Sequence, residues 1–139
     1  MIHRTLRTET CQMSVNDEGI IIGTYFDGIE ETLPQAKATI AMYQELAQGG
    51  KCLLMLDTRN ILGLNHEVRD YYANHDPDGC YAAAAIIVSS PFTVMVMNLF
   101  LALNKAPSPT KIFWDPNRAI KWLRTQQHLV THVRDEVLR

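Results

Sequence analysis

Apolar positions along this chain recur with two different spacings, and the places where the spacing changes predict the element boundaries. Thr8–Val15 alternates weakly, the cluster Asn16-Asp17-Glu18-Gly19 interrupts it, and Ile20-Ile21-Ile22 resumes an apolar run toward Asp27-Gly28. Two such runs flanking a polar, glycine-containing turn predict a β-hairpin. A helix is expected next. Thr32 can cap it, Gln35 completes a capping box, and Pro34 sits in the first turn, where a missing N–H costs little. Leu33, Ala36, Ile40, Tyr43 and Ala47 then repeat at helical spacing and form one buried face, and Gly49-Gly50 ends the run.

Cys52-Leu53-Leu54-Met55-Leu56 is continuously apolar rather than alternating, which predicts a strand covered on both faces, as in a parallel sheet. Asp57–Gly63 reads as a loop into a helix capped by Asn65, with Val68, Tyr71 and Tyr72 facing inward and Asp76-Pro77-Asp78-Gly79 closing it. Ala82–Val88 is a second buried strand, expected as an adjacent or near parallel neighbour of the first. Ser89-Ser90-Pro91 opens a third helix, Phe92–Asn104, and a proline-punctuated loop leads to the strand Ile112-Phe113-Trp114. Asp115 and Pro116 start a last helix, which the pattern carries past residue 127 toward Leu138. The predicted order is β-β-α-β-α-β-α-β-α. It implies an α/β fold with a mixed sheet and right-handed crossovers, and with no linker or repeat the reading is a single domain over residues 1–139.

Composition narrows the function classes. The formal net charge of −2 gives no basic face for nucleic acid. Cys11, Cys52 and Cys80 are isolated and odd in number, so they read as buried reduced thiols in a reducing, cytoplasmic compartment. His3 and Arg4 break the opening stretch, so it does not read as a signal peptide. Phe92–Leu103 is too short to cross a bilayer about 30 Å thick, so no transmembrane segment is expected.

A receiver-like fold would use Asp57 as phosphoacceptor. That chemistry needs clustered acids for Mg²⁺ and a lysine after a late strand, and neither pattern is present. Another set of residues carries a resemblance: Asp57-Thr58-Arg59, Glu67-Val68-Arg69-Asp70-Tyr71, Ser90-Pro91, Asn104-Lys105-Ala106-Pro107-Ser108-Pro109, Phe113, Ala119 and Trp122-Leu123. Together they resemble a bacterial STAS, or SpoIIAA-like, group over about residues 10–127. The resemblance implies a mixed sheet of four to five strands with helices packed mainly on one side. Anti-sigma-factor antagonists of this type carry a phosphorylatable serine at the start of the helix after the first buried strand. Here that stretch is Leu64-Asn65-His66-Glu67, so a kinase-controlled antagonist role is not expected.

Parallel α/β sheets place ligands beyond the carboxyl ends of their strands. Arg59, Asn60, Ser89 and Ser90 are the candidates there for a ligand or anion site, with Asp27, Asp57 and Asp115 nearby. Two structural readings compete with that one: Arg59 can pair with Asp57 or with Glu67, and Ser89 and Ser90 can be helix caps. His128 and His132 share a helical face, but no glutamate follows His128 to make a hydrolytic zinc motif, so no metal and no cofactor are expected. No catalytic set is assignable either, which favours a non-enzymatic reading.

Phe92–Leu103 carries apolar residues all round, whereas a helix on one side of a sheet needs one apolar stripe. Three readings remain open: a protein interface involving Val94, Met97 and Leu101, full burial in the monomer, or contact with a lipid or other apolar ligand. The sequence therefore favours a protein-interaction or regulatory module, homodimeric or bound to a protein partner. The alternative is a carrier or sensor of a small apolar molecule.

Overall fold

A computed structural model describes residues 4–64, 66–74, 81–90 and 108–130 of the 139. The predicted helix Phe92–Leu103, with Val94, Met97 and Leu101, lies outside the described residues, as do Asn65, Cys80, His132 and the turn Asp76–Gly79.

The chain opens with β1 (Thr5–Arg7), β2 (Cys11–Val15) and β3 (Ile20–Tyr25), all antiparallel neighbours. The β2–β3 turn forms as predicted for a local reason. Asn16 Oδ1 accepts hydrogen bonds from the backbone N–H groups of Glu18, at 2.9 Å, and Ile20, at 3.0 Å, while Gly19 takes φ +80°. After β4 (Ile29–Glu31) comes α1 (Leu33–Ala47). Its capping box is closed in both directions: Gln35 N donates to Thr32 Oγ1 and Thr32 N donates to Gln35 Oε1. Gln48, with φ 52°, turns left-handed at its end just before Gly49 does the same.

Then follow β5 (Cys52–Asp57), β6 (Ile61–Leu64), α2 (His66–Asn74), β7 (Tyr81–Ile87), β8 (Thr110–Phe113) and α3 (Pro116–Thr125). The main sheet has the order β1-β2-β3-β5-β7-β8, parallel from β3 onward. β5 and β7 are interior parallel neighbours, in register from Leu53 against Ala83 to Asp57 against Ile87, as their continuous apolar character required. The sheet is mixed as expected, with six strands where four to five were read, because β1 adds a short edge.

Side chains sort to the two faces by strand alternation. On one face, Cys11, Met13, Ile21, Tyr25 and Leu54 meet Ile40, Met42, Tyr43 and Leu46 of α1, with Tyr71 of α2 packed against them. On the other, Ile20, Leu53, Met55, Ala83, Ala85 and Ile87 meet Ala119 and Leu123 of α3. Two of the three described α-helices thus share a face, and among the described residues α3, followed by Leu129 and Val130, packs on the opposite one. Gly23 lies at a close approach on the first face. A Cβ there would stand 2.9 Å from Leu56 Cδ2 and 3.1 Å from Met13 Cγ, so its lack of a side chain lets β3 pass.

Three boundaries need correction. The segment read as the loop Asp57–Gly63 contains part of β6, which pairs in parallel with β4 as a separate two-stranded ribbon. The last strand ends at Phe113, and Trp114 is 53% exposed. The last helix stops at Thr125 and does not run through residue 127. There Gln126 N donates to Leu123 O, Thr125 Oγ1 donates to Trp122 O, and a 3₁₀ turn, Gln127–Leu129, replaces the α-helix. Arg124 in the final α turn forks onto Glu18, with bonds of 2.8–3.1 Å, and so ties the hairpin turn to α3.

Candidate functional site

The carboxyl ends of β3, β5, β7 and β8 lie side by side, because these four strands are parallel and adjacent in the sheet. Each strand delivers its following residues to that end: Asp27 after β3, Thr58-Arg59-Asn60 after β5, Ser89-Ser90 after β7, and Trp114-Asp115 after β8. The β4–β6 ribbon stands over the β3 and β5 exits, held there by a 3.0 Å bond from Gly28 N to Asn60 O. Its register slips between Ile29 and Glu30, so Leu62 is the extra residue of a bulge and stands 75% exposed.

Asp57 and Arg59 are partners, which settles the choice left open with Glu67. Arg59 Nε donates to Asp57 Oδ1 at 2.9 Å, Nη2 donates to Oδ2 at 2.7 Å, and the Arg59 backbone N–H adds 3.1 Å to Oδ1. The fork fits because Thr58 turns the chain. Its N–H and its hydroxyl both donate to Ile87 O, at 3.0 and 2.7 Å, which fixes the first residue after β5 against the end of β7. Ser89 Oγ in turn donates to Arg59 O at 3.4 Å, a long bond. Arg59, Asn60 and Ser89 are therefore brought together, and Ser90 follows beside them. Asp57 occupies the Nε–Nη2 edge of the Arg59 guanidinium. The helix that Ser89 and Ser90 were expected to cap lies outside the described residues.

Partial burial works to raise the Asp57 pKa, but the hydrogen bonds and charge of Arg59 outweigh it and hold the carboxyl below its ordinary value. Arg59 is held above its ordinary value by hydrogen bonds and charge from Asp57, with Asp115 adding to the effect. A carboxylate with a depressed folded-state pKa contributes stability above its unfolded value of about 3.9, and that contribution is lost as pH falls through the folded value. Arg59→Ala is accordingly expected to lower stability by about 1 kcal/mol or less near neutral pH, since the arginine is substantially exposed. The deficit should begin to shrink below about pH 4 and close only below the depressed folded-state value of Asp57, where both proteins carry it protonated. Urea unfolding at the two pH values checks this, and an equal deficit at both would assign the loss to packing.

A second polar cluster, which the sequence reading missed, lies behind the β4–α1 junction. Glu31, Thr10 and Thr39 are at most 1% exposed. Glu31 Oε2 accepts from Thr39 Oγ1 at 2.8 Å and from Thr10 Oγ1 at 3.1 Å. Cys11 Sγ lies 3.8 Å from Thr39 Oγ1. Burial foremost, with the charge of Glu31 adding to it, pushes the Cys11 thiol up against the opposing threonine hydrogen bonds, which disfavours the reactive thiolate. The available signal was Thr39, a polar residue inside the apolar stripe of α1.

Among the described residues, no three His, Cys, Asp or Glu side chains are grouped to hold a metal ion. His128 sits in the 3₁₀ turn with Nδ1 3.1 Å from Thr125 O, and His66 pairs along α2 with Asp70 at 3.3 Å. No described helix is long and apolar enough to cross a membrane.

Among solved structures, the chain is similar to an uncharacterized protein of the DUF3478 family from Shewanella loihica PV-4, described as having a SpoIIAA-like fold. The TM-score is 0.59 at 13% identity, over 88% of this chain and 92% of that one. At that identity the likeness shows the fold alone, and it agrees with the expected SpoIIAA-like sheet. A protein with unknown function from Arthrobacter sp. FB24 is 23% identical over 86% of this chain and 97% of its own, but its TM-score of 0.33 carries no argument. No curated protein matches the sequence. A family match spans residues 13–127, from β2 through α3, and on it the chain belongs to the family described as Domain of unknown function (DUF7793).

Proposed function

We propose that this chain is a non-enzymatic protein-interaction or regulatory module of the STAS-like class, acting as a homodimer, and without the phosphorylatable serine of the anti-sigma-factor antagonists. One observation carries the reading. At the end of the sheet where α/β proteins hold their ligands, Asp57, Arg59, Thr58 and Ser89 bond to one another or to the backbone, while Leu62 and Trp114 face solvent. An internally paired charge beside exposed large apolar side chains suits contact with another protein surface. Tryptophan in particular contributes strongly when an interface buries it. Val94, Met97 and Leu101 extend the proposed contact surface on the strength of the sequence. Two-fold pairing is the commonest way for such a surface to close on itself.

Native mass spectrometry under gentle and then denaturing conditions tests the reading. The expected spectrum is a dimer whose denatured chains carry no added mass. A monomer that releases a small apolar molecule would favour the carrier or sensor instead.

A further inference from the structure

We draw no further inference here: the strongest candidate, the bulged outer face of the β4–β6 ribbon where exposed Leu62 neighbours Glu30, belongs to the surface already proposed as an interface, and nothing in the structure shows what else covers it.

Discussion

Leu123→Ala is expected to lower the unfolding free energy by about 2–5 kcal/mol, the largest effect of any single change considered. Leu123 is fully buried and packs with Ala119 against Ile20, Leu53, Met55, Ala83, Ala85 and Ile87. β7 contributes mostly alanines to this face, so the volume between sheet and α3 is filled chiefly from the helix side and from β5. Alanine neighbours have no flexible side chains with which to collapse into the space left behind, and a residual cavity adds to the lost transfer energy. Urea denaturation should show a lower midpoint with an unchanged slope. A loss below about 1 kcal/mol would mean that α3 does not seal that face.

Glu31→Ala should cost about 3 kcal/mol, for a different reason. The substitution removes the common acceptor of Thr10 and Thr39, both buried, and leaves their hydroxyls to find other partners. Thr39 keeps a bond to Gln35 O, and Thr10 keeps a weaker contact with Thr8 Oγ1. Each buried hydroxyl left without an adequate partner costs about 1–3 kcal/mol. Glu31→Gln preserves both volume and an acceptor oxygen, so its loss should be distinctly smaller. Equal losses in the two variants would show that the acceptor is not what stabilises the β4–α1 junction.

These two sites also show what was legible in the sequence. Elements whose causes are local were read well. Thr32, Pro34 and Gln35 define the start of α1 within four residues, and Asn16 with Gly19 defines the hairpin turn within a few more. Cys52–Leu56 declared its burial on both faces by lacking alternation, and its pairing with β7 followed. Strands of three or four residues are shorter than the window in which periodicity is detectable, so β1 and the β4–β6 ribbon were lost among turns.

Glu31 was invisible for a related reason. In Ile29-Glu30-Glu31 it resembles a solvated turn, and its partners come from 21 residues earlier and 8 later. Asp57 and Arg59, two positions apart, could be recognised as a pair because a turn folds them together. The sequence places Trp114 as the last residue of the short final strand. It is exposed because β8 ends one residue earlier and the chain turns at Asp115, whose side chain accepts from Asn117 N to cap α3.

Sedimentation velocity at high micromolar concentration, on the native chain and on a Leu62→Asp, Trp114→Asp variant, tests the proposed interface most directly. Both substituted side chains are exposed, so the variant should keep its melting temperature while a charge in each apolar contact opposes association. The expected result is a dimer for the native chain and a folded monomer for the variant. A native chain that sediments as a monomer, or a variant that associates as the native chain does, would contradict it.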